Sequence, residues 1–259
     1  MIHFHKYVAA GNDFIIFDCW AGLFDPGVEQ IQALCDRRFG IGADGILLLS
    51  QSEDNDFRMN YFNADGSRGE MCGNGARALV KFAQDQQHIA SSGTFLADDG
   101  RHQYRIENNR IEVEILVSDK LKNWELPEIN SGFINTGVPH IVCPVQNVAR
   151  VDLDTVGKNM NAHSAHPQGT NLNIVDRTNN TFSVRTWERG VNMETLACGT
   201  GATAVSVYIN ENWGEPWPIA MTFKGGVLAV DFRRNRYWLA GDTELVFVGH
   251  IASSKIQSN

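Results

Sequence analysis

Two cysteines of the chain stand in the same short sequence context. Cys72 and Cys198 are each followed by Gly-x-Gly and by a stretch that predicts a helix. The first N–H groups of a helix have no partner within it, and glycines let them converge on one point, so such a turn is a candidate anion site. The same dipole is expected to lower the pKa of a thiol there below the ~8.5 of a free cysteine. Both cysteines are therefore candidate bases or nucleophiles.

A packing role is the alternative for each of these cysteines, because cysteine is often a small buried residue. Two matching elements in one chain favour chemistry instead. A pair of thiol bases suggests stereoinversion, in which one thiolate removes a proton from a carbon and the other thiol returns one to the opposite face. Backbone N–H groups could hold a substrate carboxylate during that reaction, with neither a metal nor pyridoxal phosphate.

The two cysteines also belong to an internal repeat with an offset of 198 − 72 = 126 residues. Residues 71–80 align with 197–206, with identity at the cysteine, both glycines and two alanines. About ten residues before each cysteine a predicted strand ends in a turn that contains glycine. The sequence therefore predicts two half-chain copies of one unit of strand, turn, cysteine and helix.

The elements that must position these cysteines are mostly strands. Apolar and polar residues alternate between Gly, Asn and Asp turns, and hairpins are predicted around 108–109 and 233–236. Amphipathic or apolar patterns predict helices at 27–38, 75–87 and 201–210. Sheet is the expected framework, and no low-complexity linker marks a boundary between the two copies.

Composition excludes several classes of protein. The chain has 259 residues, is 43% hydrophobic and carries a net charge of −8, which is typical of a folded protein. The absence of a Lys/Arg cluster argues against nucleic acid or an anionic membrane as a partner. With no apolar run long enough to span a membrane and no signal-peptide pattern, we expect a cytoplasmic protein.

Two further patterns do not predict a site. Residues 40–45 match the dinucleotide-binding Gly-x-Gly-x-x-Gly, but a predicted helix precedes them and a strand follows, which is the reverse of the required order. His163 and His166 have no third metal ligand beside them, so we expect no metal site. Cys19, Cys35 and Cys143 lack the Gly-x-Gly sequence and are expected to pack as small residues.

Seven motifs, in order along the chain, resemble the diaminopimelate epimerase family. They begin with Gly-Asn-Asp-Phe and end with the second Cys-Gly-x-Gly, at residues 11–14, 35–45, 62–67, 69–77, 139–140, 188–190 and 194–201. The combination is specific, whereas each motif by itself is a weak signal.

The resemblance implies an isomerase that interconverts LL- and meso-2,6-diaminopimelate in lysine biosynthesis without a cofactor. It implies an α+β fold of two similar lobes, each a curved, mostly antiparallel sheet around a central helix, with the active site between them. We place the N-terminal lobe at 1–118, joined by a C-terminal strand at 247–259, and the C-terminal lobe at 119–246. The family also implies a homodimer.

The resemblance also assigns roles to residues of this chain. Cys72 and Cys198 match the two catalytic bases, with Glu188 and His140 supporting them. The residues that match the substrate-binding positions of the family are Asn12, Asn63, Gly73, Asn74, Asn171, Glu188, Arg189, Gly199 and Thr200.

Two residues depart from the pattern of the family. Val138 stands where the family commonly has a substrate-binding Asn, and Gly45 stands where some members have Gln. Neither residue offers a polar side chain. A racemase or epimerase of the same fold for another amino acid therefore remains an alternative, as does an amino-acid-binding homologue without activity.

Overall fold

The computed structural model describes residues 2–22, 24–69, 71–126, 129–163 and 167–252. His166 and the last part of the predicted C-terminal strand, residues 253–259, lie outside this described part. Contacts divide the chain into a first unit, residues 1–113 with 241–259, and a second unit, residues 114–240. No helix within the described residues is long and apolar enough to cross a membrane.

The first unit alternates strands with two helices, and β8 ends just inside the second unit. Its elements are β1 (Ile2–Ala9), β2 (Asn12–Asp18), α1 (Val28–Cys35), β3 (Gly45–Ser50), β4 (Phe57–Asn63), β5 (Arg68–Gly69), α2 (Gly73–Asp85), β6 (Ser92–Ala97), β7 (Gly100–Glu107) and β8 (Arg110–Ile115). Strand β2 runs parallel to β3, and β4 runs parallel to β6, whereas β1/β2, β3/β4, β6/β7 and β7/β8 are antiparallel.

The second unit repeats this order of elements. It contains β9 (Lys122–Leu126), β10 (Ile129–Asn135), β11 (Pro139–Pro144), α3 (Leu153–Asn161), β12 (Asn171–Thr178), β13 (Thr181–Glu188), β14 (Met193–Thr195), α4 (Gly199–Trp213), β15 (Ile219–Phe223), β16 (Gly226–Arg233) and β17 (Arg236–Gly241). A last strand, β18 (Thr243–Ile251), pairs antiparallel with β1 and so belongs to the first unit.

Strand pairing in the two units follows the repeat residue by residue. Phe14 of β2 lies opposite Gly45 of β3, and His140 of β11 lies opposite Asn171 of β12. Each residue of the second pair lies 126 residues after the corresponding residue of the first pair. In both units the next pair is antiparallel and the following one parallel. The predicted α+β class with two similar units is confirmed.

Helices α2 and α4 are the centres of their units. Nearly every residue of α2 from Gly73 to Ala83 is buried, and the helix contacts β1, β2, β3 and β4. Helix α4 is buried from Gly201 to Ile209 and contacts β10, β11, β12 and β16. Burial on all sides agrees with the apolar sequence of α4, whereas α2 is buried more completely than its amphipathic pattern predicts, because Arg77 is buried as well.

The predicted elements differ from the observed ones mainly at helix ends. Helices α2 and α4 begin two residues earlier than predicted, because each cysteine is the N-cap and the following glycine is already helical. Helix α3, which contains Gly157 and two Asn residues, is not among the predicted helices. A Cβ at Gly157 would lie 2.2 Å from the Trp187 ring, so close packing explains the glycine.

Both predicted hairpins are present as two-residue turns. Asn108 and Asn109 have φ of 50° and 62°, and Glu107 lies opposite Arg110. Between β16 and β17, Arg234 and Asn235 have φ of 51° and 63°. Two consecutive positive φ values are the geometry that joins antiparallel strands most tightly.

Candidate active site

Each unit presents its cysteine at the N-terminus of its central helix. Cys72 has φ −129° and ψ 114°, and Cys198 has φ −124° and ψ 118°, so both are extended N-cap residues. The first helical hydrogen bonds run from Ala76 N to Cys72 O and from Ala202 N to Cys198 O, at 2.7 and 2.8 Å. The N–H groups of Gly73 and Gly199 precede these bonds and stand at the positive end of each helix.

In the first unit, side chains hold the start of α2 in place. Asn74 donates to the Asn12 side-chain oxygen at 2.7 Å, and Arg77 donates to Asn74 Oδ1 at 2.8 Å and to Gly73 O at 3.1 Å. Gly75 N donates to Cys72 Sγ at 3.4 Å. Three residues with predicted substrate contacts, Asn12, Gly73 and Asn74, are thereby brought together beside the cysteine.

A buried arginine underlies this cluster. Arg77 is fully buried, and burial lowers its pKa to about 10, against attraction from Cys72 and Asp242. The guanidinium remains charged at neutral pH. Arg77 was not among the predicted site residues, because the amphipathic pattern of α2 places it beside Lys81 and Gln84 on the polar side of the helix.

Acidic side chains lie behind Asn12. Its amide nitrogen donates to Asp44 Oδ2 at 3.0 Å, and Arg37 bridges Asp44 to Asp13 with two contacts of 2.7 Å. Burial alone would raise the pKa of Asp13, but hydrogen bonds and charge from Arg37 and Lys6 outweigh it and hold the pKa at about 2. Asn12 is therefore oriented by partners on both sides.

Asn63 and Gly45 lie at the paired ends of β4 and β3. Asn63 donates to Ser67 Oγ at 3.0 Å across the turn that follows β4, and the Asx-type contact of that turn belongs to Asp65, whose Oδ1 accepts from Ser67 N at 2.8 Å. A Cβ added at Gly45 would lie 2.5 Å from Phe62 O, which leaves no space for a side chain. Close approach of the β4 backbone thus explains the glycine at this position.

In the second unit, a buried polar cluster surrounds His140. The ring Nε2 lies 3.0 Å from Thr200 Oγ1, and Nδ1 lies 3.0 Å from Asn173 Nδ2. Thr200 Oγ1 is in turn 3.4 Å from Cys198 Sγ. Three predicted residues, His140, Thr200 and Cys198, are therefore connected by side-chain contacts.

Burial keeps the imidazole of His140 neutral. The side chain is fully buried, and burial followed by the charge of Arg189 lowers its pKa to about 3. A neutral imidazole has one N–H donor and one acceptor nitrogen. His140 can therefore orient neighbouring groups at neutral pH, but it carries no positive charge there.

Asn171 and Arg189 lie beside this cluster. Asn171 Oδ1 accepts from the backbone N–H of Arg189 at 2.8 Å, and its amide nitrogen is 3.4 Å from His140 Nε2. Glu188, the last residue of β13, accepts from Thr195 Oγ1 at 2.5 Å. Asn173, which was not among the predicted site residues, is fully buried two residues after Asn171 in the same strand, between Leu172 and Ile174.

The described residues contain no group of three or more His, Cys, Asp or Glu side chains able to hold a metal ion. Cys19, Cys35 and Cys143 are buried. Burial raises the pKa of Cys35 and of Cys143 to about 12, so both thiols are protonated at neutral pH.

Comparison with known families accounts for the whole repeated arrangement. The model of the diaminopimelate epimerase family matches residues 4–118 and 132–245, which cover both cysteine elements. The chain belongs to the diaminopimelate epimerase family. It is accordingly an isomerase of the epimerase type, as the motifs predicted.

Curated members of the family match over most of their length. The diaminopimelate epimerase of Flavobacterium psychrophilum is 40% identical, with 94% of this chain and 97% of that protein covered. That of Chlorobaculum tepidum is 42% identical over 76% of this chain and 79% of its own. The diaminopimelate epimerase of Aquifex aeolicus is 34% identical over 99% of this chain and 100% of its own.

Solved structures of low identity share the fold. A phenazine biosynthesis protein of the PhzF family from Bacillus anthracis has a TM-score of 0.74 at 14% identity, covering 97% of this chain and 99% of its own. A probable proline racemase from Agrobacterium radiobacter has a TM-score of 0.69 at 11% identity, covering 97% and 93%. At these identities the likeness concerns architecture alone.

Proposed function

We propose that this chain interconverts LL- and meso-2,6-diaminopimelate, with Cys72 and Cys198 as the two bases and with no cofactor. The duplicated cysteine at the N-cap of each central helix carries the proposal. One cysteine, as thiolate, takes the proton from the α-carbon. The thiol of the other cysteine delivers its proton to the opposite face, so the configuration at this carbon is inverted. The first cysteine is then a thiol and the second a thiolate.

Backbone N–H groups would bind the carboxylate at the reacting carbon. Gly73 and Asn74 begin α2, and Gly199 and Thr200 begin α4, and the positive ends of these helices favour an anion. The same groups stabilise the negative charge that spreads onto the carboxylate when the α-proton leaves. This stabilisation removes the need for an electron sink such as pyridoxal phosphate.

Side chains that complement the charges of the substrate would hold the rest of it. We assign the substrate ammonium to Glu188 and the polar groups farther from the reacting carbon to Asn12, Asn63, Asn171 and Arg189. An ammonium needs oxygen acceptors and a carboxylate needs N–H donors, and these residues offer both. Glu188 and His140 act as supports for the cysteines.

Deuterium labelling tests the proposal directly. Reduced protein incubated with LL-diaminopimelate in deuterated water should yield the meso isomer with deuterium at the inverted α-carbon. Substrate recovered without deuterium and without inversion would overturn the proposal. Ligand binding without any exchange would instead indicate a binding homologue.

Val138 favours a second candidate, a racemase for another amino acid. The repeat places Val138 at the position of Asn12, so only the first unit has an amide there. A panel of amino acids assayed for α-proton exchange separates the candidates. Faster exchange with a different amino acid than with diaminopimelate would favour the second.

We further propose a homodimer located in the cytoplasm, in which each chain has two lobes. The boundary expected at 246/247 falls inside β18, which pairs with β1 from Thr243 onward, so we place the second lobe at 114–240. The consecutive residues Leu245, Val246, Phe247 and Val248 of β18 support self-association, because they are 41–55% exposed. Exposed apolar runs of this kind mark surfaces that bind other proteins. Sedimentation at increasing concentration should give twice the mass of one chain, and Phe247→Lys should lower that mass.

A further inference from the structure

Two positions of the second unit carry polar side chains where the first unit has apolar ones. The repeat aligns His140 with Phe14 and Asn173 with Leu47, and all four side chains are at most 1% exposed. The first unit shows that this fold accepts apolar residues at both places. Burying polar groups costs free energy, so packing alone does not account for His140 and Asn173, and we look for a role in their hydrogen bonds.

Neighbouring groups fix the orientation of the Asn173 amide. Its nitrogen donates to the carbonyl oxygen of Ile141 at 3.1 Å, and its oxygen accepts from Thr186 Oγ1 at 2.9 Å. A carbonyl oxygen can only accept, so the amide cannot be turned around. The remaining hydrogen of the amide nitrogen therefore points at His140 Nδ1, 3.0 Å away.

This orientation selects one tautomer of His140. A neutral imidazole that accepts at Nδ1 must carry its hydrogen on Nε2. The other candidate partner, the Asn171 amide nitrogen, is 3.4 Å from Nε2 and competes less well. Nε2–H therefore donates to Thr200 Oγ1 at 3.0 Å.

The hydroxyl of Thr200 is then free to donate its own hydrogen. Cys198 Sγ lies 3.4 Å from it, and a thiolate there can only accept. All the donors thus point in one direction, from Asn173 through His140 and Thr200 to the sulfur. In the first unit Asn74 aligns with Thr200, and its amide donates to Asn12 instead.

We propose that Asn173 is a positioning residue: it holds His140 as the Nε2–H tautomer, so that the Thr200 hydroxyl donates to the Cys198 thiolate. The hydrogen-bond direction stands on the geometry alone, whereas its catalytic meaning rests on the proposed function. The chain of donors favours the thiolate of Cys198 over its thiol.

Nitrogen-15 NMR of the histidine rings reports the tautomer in the substrate-free protein. We expect the His140 ring, assigned by its absence from a His140→Phe spectrum, to carry its hydrogen on Nε2. Asn173→Leu, which copies the residue of the first unit, should remove this preference. Thr186→Val is the matched control, because it removes an equally buried partner of Asn173 without breaking the donor chain.

Alkylation of Cys198 by iodoacetamide, resolved by peptide mass spectrometry, reports the effect on the sulfur. Asn173→Leu and Thr200→Val should each raise the pH midpoint of alkylation by about one unit, a tenfold loss of thiolate at a given pH. Thr186→Val and Thr200→Ser should keep the wild-type midpoint. If Asn173→Leu does not fold, the comparison of Thr200→Val with Thr200→Ser tests the proposal.

Clear outcomes would overturn the proposal. These are a hydrogen on Nδ1 of wild-type His140, coincident profiles for Asn173→Leu and Thr186→Val, or coincident profiles for Thr200→Val and Thr200→Ser. Both readouts use protein without substrate. Failure of the labelling experiment would therefore overturn the enzyme function and leave this hydrogen-bond chain standing, and the reverse also holds.

Discussion

The guanidinium of Arg77 donates to Asn74 Oδ1 at 2.8 Å, from a position that solvent does not reach. A second donor reaches Gly73 O at 3.1 Å, so one buried side chain ties together the first turn of α2. The charge also acts on Cys72, because attraction between the Cys72 thiolate and the guanidinium opposes the effect of burial on the pKa of Arg77.

Arg77→Met should make the Cys72 thiolate harder to form. We expect the pH midpoint of Cys72 alkylation to rise by about one unit, the size of a tenfold change in ionisation. Lys81→Met on the same helix is the control, since Lys81 is paired with Asp85 and partly exposed. Equal midpoints for the two variants would contradict a role for the Arg77 charge.

Gly75 and Gly201, the second glycines of the two Cys-Gly-x-Gly elements, should differ in how well they tolerate substitution by alanine. A Cβ at Gly201 would lie 2.4 Å from Asn173 Oδ1, whereas a Cβ at Gly75 would meet only Leu47 and Cys72, at 3.4 Å or more. Gly201→Ala should lower the free energy of unfolding by about 1–3 kcal/mol through overpacking. Gly75→Ala should stay within about 1 kcal/mol of wild type, and urea denaturation measures both.

Each base should be indispensable for inversion. Cys72→Ala and Cys198→Ala should each lower the rate of epimerisation by at least about 10²-fold, since each removes one proton-transfer group. Cys19→Ala, which changes a buried cysteine outside the N-caps, should retain activity. Similar losses in all three variants, measured by chiral chromatography of the products, would refute the assignment.

His140 should make the folded protein sensitive to acid. Its pKa is near 3 in the folded state, so below the ordinary value of 6.5 the unfolded chain binds a proton that the folded chain does not. Stability should therefore fall as the pH drops from about 6.5 to about 3, by up to about 1.4 kcal/mol per pH unit from this group. His140→Phe should have a flatter acid limb in urea denaturation, and parallel curves would count against the assignment.

Local signals in the sequence were enough for hairpins and for the duplicated unit. The pair Asn108-Asn109 favours positive φ, and the repeat at 126 residues is carried by identities around both cysteines. Helix α3 was missed because Gly157 is a weak helix former whose presence depends on Trp187, a residue far along the chain. Propensity cannot register a tertiary constraint of that kind.

The residues of the candidate site also divide into those with a local signal in the sequence and those fixed by tertiary contacts. The cysteines and the adjacent glycines were recognisable because the chemistry and the local turn coincide. Asn173 was not, since nothing in the sequence of β12 shows that its amide faces His140 on a neighbouring strand. Likewise, only the close approach of Phe62 O explains the glycine at position 45.

The pairing of β18 with β1 has a consequence for biosynthesis. The second unit is one continuous stretch, residues 114–240, and every strand it needs has been synthesised before β18 is made. The first unit needs β18 to cover β1, so residues near both ends of the chain must meet before it is complete. On the ribosome, the half that is translated first is therefore the half that is finished last.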